Sequence, residues 1–180
     1  MVLSLPGAVQ GRVPGVRVEI LLQDFTGSEA ALRTVIAAAP DVSGHNLETV
    51  ERLTPSVRDP RCSYRLSLQT LSAVHGLAPG TPLKSSLMLG LGEADDEVLA
   101  ALRDLRGSGV DLVTIGQYLR PTGTDRNLPV ERYVTPEEFK GWSARALELG
   151  FKHASCGPFV RSSYHAAEAF TAGLLSGRVI

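Results

Sequence analysis

The sequence predicts an α/β domain of parallel strands joined by helices, and three observations carry that expectation. Strand-like apolar runs alternate with helix-like periodicities from residue 16 onward. The helical segments carry start and stop signals of their own. With 180 residues and 43% hydrophobic positions, the chain can bury one substantial core and is short for two, so residues 1–180 are expected to form a single domain. Alternation of this kind implies right-handed crossovers between parallel strands, in an open doubly wound sheet or in part of a barrel.

Each element has its own justification. Val16, Val18, Ile20 and Leu22 alternate with more polar residues, giving a strand over residues 16–25. Ser28 can cap a helix whose buried side would be Leu32, Val35, Ile36 and Ala39, and Pro40 ends it. A second strand falls at residues 41–46. Tyr64, Leu68, Leu71 and Val74 lie on one face of the next helix, which precedes Gly76. Residues 83–91 form an apolar third strand. Asp95, Asp96 and Glu97 then open a helix at its positive dipole end, Arg103 and Arg106 lie near its other end, and Gly107 and Gly109 stop it.

Residues 111–119 read as the fourth strand and residues 121–133 as a loop rich in Gly, Asn and Pro. The following helix is the best signalled. Thr135 is its N-cap, Pro136 its first residue, Glu138 the partner in a capping box and Gly150 its left-handed stop. Residues 151–160 give a fifth strand. A last helix would bury Ala166, Ala167, Phe170 and Leu174.

Composition excludes several classes of function. The 18 Lys and Arg balance 19 Asp and Glu, for a net charge of -1, with no basic run to mark a nucleic-acid footprint. No apolar stretch approaches the length of a membrane span. Pro6, Gly7, Gly11 and Pro14 break the opening segment, which is expected to be an irregular lead-in over residues 1–15. That segment has one serine and only Arg12, unlike an Arg- and Ser-rich transit peptide, so if such a peptide exists it is expected upstream. Cys62 and Cys156 are far apart and show neither a C-x-x-C pair nor a disulfide framework.

In both candidate architectures, ligands bind at the carboxyl ends of the strands. Four polar clusters are expected there. They are His45, Asn46, Glu48 and Thr49; the stretch from Lys84 to Glu93; Gln117 and Tyr118; and Arg161 to Tyr164. The run Gly90-Leu91-Gly92-Glu93 joins a strand to a helix, where a ligand could approach backbone N–H groups, or where the glycines simply make a tight turn. It is not a dinucleotide fingerprint, because Asp95 stands at the last glycine position. His45 and Glu48 lack a third metal ligand at a recognisable spacing. Ser163 could be no more than a helix N-cap, and His165 beside it makes no nucleophile elbow.

The order and spacing of HNLETV (45–50), VRDPR (57–61), KSSLMLGLGE (84–93), TIGQYLRPT (114–122), LPVERYVTPEEF (128–139) and CGPFVRSSYHA (156–166) resemble the lipoyl synthases. The likeness covers residues 16–175. It implies the later strand–helix units of a partial (βα)6 radical S-adenosylmethionine barrel, left open on one edge. By resemblance, the activity is insertion of two sulfur atoms at C6 and C8 of a protein-bound octanoyl chain. The cofactors are then S-adenosylmethionine and two [4Fe-4S] clusters, and the partner is an octanoylated lipoyl carrier protein. Neither nucleic acid nor membrane is implied as a partner, and the compartment would be the mitochondrial matrix or the bacterial cytoplasm.

The resemblance also assigns residues. Asn46, Glu48, Gly90, Gly92, Glu93 and Gln117 would face S-adenosylmethionine, and Ser163 would ligate iron of the auxiliary cluster. No residue is assigned a catalytic role. Both cysteine motifs of the family, C-x3-C-x2-C and C-x4-C-x5-C, are missing from this sequence. The chain alone is therefore expected to be inactive and to hold no cluster stably; alternatively it is a split or truncated module that complements a separate cysteine-bearing half. Residues 123–127 depart from the family pattern after QYLRPT and leave the substrate side of that loop unassigned.

Overall fold

The computed structural model describes residues 5–121 and 127–163. Its five parallel strands are β1 (Glu19–Leu21), β2 (Val42–Gly44), β3 (Leu83–Leu89), β4 (Leu112–Gln117) and β5 (His153–Gly157). Their order in space is their order in the chain, β1-β2-β3-β4-β5. A doubly wound sheet reverses direction at a switch point. This one never does, so each crossover advances the sheet by one strand, as in a (βα) barrel. The sheet is not closed: among the described residues β1 pairs only with β2, which makes it the open edge anticipated near residues 16–25.

Register separates two faces. In-register neighbours of a parallel sheet point the same way, and successive residues alternate. Ile20, Leu83, Leu87, Val113, Ile115 and Ala154 thus share the outer face, and all pack into the hydrophobic core with helix residues such as Leu71, Leu102 and Phe139. The inner face is different. One row holds Leu21, Gly44, Lys84, Leu112 and His153, the next Ser86, Thr114 and Ser155, and the third Met88, Gly116 and Gly157.

Among the described residues six α-helices connect or flank the strands: α1 (Leu5–Arg12), α2 (Glu29–Ile36), α3 (Thr54–Val57), α4 (Tyr64–Leu77), α5 (Asp95–Gly107) and α6 (Pro136–Glu148). Ser28 Oγ accepts the Ala31 N–H at the start of α2. The box expected on α6 forms in both directions, with Thr135 Oγ1 accepting from Glu138 N–H at 3.2 Å and Glu138 Oε2 accepting from Thr135 N–H at 2.8 Å. Gly150 ends that region at φ +90°.

Several elements differ from the sequence expectation: β2 spans only Val42–Gly44, and α3 was not anticipated. Residues 5–12 form α1 instead of an irregular lead-in, and Gln10 ties it to the body by donating to Asp41 at 3.1 Å. β1 is three residues rather than ten, because after Leu22 donates to Gly44 O the chain leaves the sheet for a 3-10 turn, Phe25–Gly27. β5 stops at Gly157, where Val160 N–H donates to Gly157 O and reverses the chain. The last expected helix lies outside the described residues.

Candidate functional site

Beyond the carboxyl ends of β1 and β2 lies a cavity of about 410 Å³, within the size range of small-molecule sites. Leu22, Asp24, Phe25, Asn46, Glu48 and Arg58 are among its walls. Of the four non-glycine residues with positive φ among the described residues, three line this cavity: Phe25 at 46°, Thr26 at 53° and Glu48 at 72°. Left-handed backbone costs on the order of 1 kcal/mol or more for such residues and gathers where function demands a fixed geometry. Glu48 is held in that conformation by β3, since its N–H donates to Ser86 O at 2.9 Å and its carbonyl accepts from Met88 N–H at 2.8 Å. The result aims its carboxylate at Asn46, whose Nδ2 donates to Glu48 Oε1 at 3.1 Å.

His45 and Arg58 form the back of the cavity. The histidine is buried, with Nδ1 3.0 Å from Leu22 O and Nε2 3.0 Å from Ser67 Oγ, so both ring nitrogens serve the fold. Burial pushes its pKa below the ordinary histidine value, the Leu22 carbonyl opposes this, and the Arg58 charge adds to it. Arg58 donates to the same Ser67 hydroxyl at 2.6 Å. Half-buried on the cavity wall, its guanidinium can face a ligand carboxylate or other anion. The sequence reading did not single it out; its only signal was its place in the VRDPR motif.

The turn after β3 is engaged with itself. Glu93 bridges it, accepting Gly90 N–H at 2.6 Å and Leu91 N–H at 2.8 Å. Those two donors are thus not free to meet a ligand as the glycine run suggested. Gly90, at φ +100°, is packed so closely that a Cβ there would stand 2.3 Å from Gln117 Nε2 and 2.5 Å from Arg132 O. Gln117 is buried. Its Nε2 donates to Tyr118 O and Arg132 O, and its Oε1 accepts from Val134 N–H, so its amide anchors the loop that follows β4.

On the inner face, the chain after β5 doubles back toward β2. There Ser162 and Ser163 join Glu19, Leu21, Gly44, Asn46 and Lys84 around a second cavity of about 230 Å³. Lys84, its side chain 8% exposed, donates to both Glu19 oxygens at 2.9 and 3.0 Å across β2. Asn46 and Leu21 border both cavities. Asn46 thus lines one cavity with Glu48 and the other with Ser163, whereas Gly90, Gly92, Glu93 and Gln117 line neither cavity. Tyr164 and His165 lie outside the described residues.

The thiols do not make a cluster site. Cys156 is on the outer face against the core, and burial pushes its thiol up to about 12. Cys62 is on the far wall of the larger cavity. No group of three or more His, Cys, Asp or Glu suited to a metal ion occurs among the described residues. The donors present among the described residues do not fit an iron–sulfur cluster held by this chain alone.

A run of strand–helix units left open at one edge, with polar groups and two cavities beyond the strand ends, defines an open barrel segment with a candidate ligand site. Its relatives are specific. No family model matches the chain. It is 54% identical over 163 residues to the lipoyl synthase of Thermus thermophilus, covering 91% of this chain and 50% of that protein. To the lipoyl synthase of Pyrobaculum calidifontis it is 54% identical over 167 residues, 93% of this chain and 57% of the other. The mitochondrial lipoyl synthase of Branchiostoma floridae is 50% identical over 168 residues, 93% and 44% respectively. The chain is thus related to the lipoyl synthases, in agreement with correspondence to a C-terminal half, and it spans about half the length of the curated relatives it matches.

Proposed function

We propose that the chain supplies the later strand–helix units of a lipoyl synthase, a radical S-adenosylmethionine enzyme that inserts sulfur at C6 and C8 of an octanoyl chain on a lipoyl carrier protein. The observation that carries the reading is the place of Asn46 between two adjoining cavities, one shared with Glu48 and the other with Ser163. In this reading Asn46 and Glu48 hold S-adenosylmethionine in the larger cavity, with Arg58 facing its carboxylate. Bound there, the cofactor would supply the radical that activates the octanoyl chain.

Ser163, on the inner-face side, would give one oxygen to the auxiliary cluster, whose other ligands would come from a cysteine-bearing half. Gly90, Gly92, Glu93 and Gln117 act on the same site indirectly, by fixing the turn and loop at the neighbouring strand ends. Partners with the remaining ligands would join at the β1 edge, where Leu21 is 62% exposed and the strand's outer backbone is open. That open edge equally suits the reading of the chain as a module completed by a separate cysteine-bearing half. Alone, the chain is inactive, and it meets neither nucleic acid nor membrane.

The test is complementation. The chain, mixed anaerobically with a cysteine-bearing segment of a lipoyl synthase, iron, sulfide and reductant, should yield lipoyl product from an octanoylated carrier, while either component alone should not. Glu48→Ala should lower S-adenosylmethionine binding at least tenfold, or about 1.4 kcal/mol. Ser163→Ala should abolish sulfur insertion and leave S-adenosylmethionine cleavage intact. Normal product from Ser163→Ala with only a lower Tm would leave Ser163 as a helix cap and remove it from the site.

A further inference from the structure

The segment that carries Ser162 and Ser163 needs something to hold it across the inner face, and its seat is on β4. Position 116 faces inward in the row of Met88 and Gly157. A Cβ on Gly116 would lie 2.3 Å from Val160 O and 3.3 Å from Val160 C, backbone atoms that no side-chain rotation can move away, with Arg161 Nη1 at 3.4 Å. The carbonyl of Val160 therefore rests on a bare Cα. Arg161 folds back over it, Nη1 donating to that carbonyl at 2.7 Å, while the Val160 N–H is fixed to Gly157 O at 3.1 Å. Two and three residues further along, Ser162 and Ser163 share a cavity with Asn46, beyond β2, and Lys84, on β3.

We infer that Gly116 is a positioning residue: its missing side chain seats the Val160 carbonyl, and that seat sets where Ser162 and Ser163 stand beside Asn46 and Lys84. The inference deepens the reading of Ser163 as a site residue and rests on it for its functional meaning. The seat itself is a property of this chain and is tested without any cofactor.

Gly157 provides the control, since a Cβ there would meet only the tip of the Val160 side chain, Cγ2, at 3.4 Å. Amide hydrogen exchange of the full 180-residue chain reads the outcome. Gly116→Ala should speed exchange of residues 160–163 by roughly tenfold or more, with amides of β3 and α6 changed less than about twofold, whereas Gly157→Ala should leave residues 160–163 within about twofold of wild type. Equal protection of residues 160–163 in Gly116→Ala and wild type overturns the proposal. So does acceleration spread evenly over the sheet, which is global destabilisation. Should Gly116→Ala fail to fold, Arg161→Ala, altered at an exposed side chain, should still speed exchange of residues 160–163 several-fold, and no change there would likewise overturn it. If exchange responds as expected but Ser163→Ala makes normal product in the complementation assay, the seat stands and the role of Ser163 falls.

Discussion

The ends of β2 and β3 are adjacent in the sheet, yet their polar groups have opposite fates. Beyond β2, Asn46 and Glu48 bond to each other and border open cavities, with Glu48 held in the left-handed region. Beyond β3, the Glu93 carboxylate is used by Gly90 and Leu91 N–H, and the neighbouring Gln117 amide by three loop backbone groups. A strand-end position tells where a ligand can come. Whether a residue there can bind it depends on whether its hydrogen bonds are already made within the fold.

The largest expected effect tests how tightly the β3 end is closed. Gly90→Ala would combine φ +100° with a Cβ 2.3 Å from Gln117 and 2.5 Å from a backbone oxygen, and should cost about 3 kcal/mol or more in urea unfolding. Gly92→Ala, at φ +92° but only 3.4 Å from the Glu131 side chain, should cost about 1–2 kcal/mol. Equal losses at the two positions would mean that backbone conformation alone, and not packing against Gln117, fixes this turn.

A smaller effect comes from the back wall of the β2 cavity. Burial lowers the folded-state pKa of His45, so the neutral ring is what folding favours. Stability from this group is full above the unfolded value of about 6.5 and is lost as pH falls from there through the lowered folded-state value. Urea midpoints measured between pH 7.5 and 5 should fall more steeply for wild type than for His45→Gln. Parallel curves would show that His45 is not the titrating group.

Much of the fold was legible because it follows from period and punctuation. The reciprocal bonds of Thr135 and Glu138, the Ser28 cap and the five-strand alternation are local chemistry written in neighbouring residues. The choice between a doubly wound sheet and a barrel was not, since spatial order depends on crossovers between distant segments; the resemblance to the lipoyl synthases supplied it. Asn46, Glu48 and Ser163 were expected from motifs, and the structure places Asn46 on the wall of two cavities, with Glu48 in one and Ser163 in the other. Arg58 escaped notice because nothing local distinguishes a cavity arginine from a surface one. The engagement of Gln117 with residues 15 and 17 positions away, and the seat of Val160 on Gly116, are long-range contacts that no periodicity reveals.

The smallest effect sets the two carboxylates against each other. Glu93 works for the fold, so Glu93→Ala leaves two backbone donors to find water and should cost about 1–3 kcal/mol. Glu48 works against it, because φ 72° is strained for any residue with a Cβ. Glu48→Gly relieves that strain while adding roughly 0.5–1 kcal/mol of backbone entropy to the unfolded state, and the single Asn46 bond it removes is half-buried. These terms nearly offset, so the variant should unfold within about 1 kcal/mol of wild type. The carboxylate would nonetheless be gone from the cavity, and under the proposed function S-adenosylmethionine binding in the complemented enzyme should weaken at least tenfold. Separate loss of binding at Glu48 and of stability at Glu93 would mark one strand end as a ligand site and the other as its support. If instead Glu48→Gly loses as much stability as Glu93→Ala, the strained glutamate is a fold residue too, and the contrast between the two ends fails.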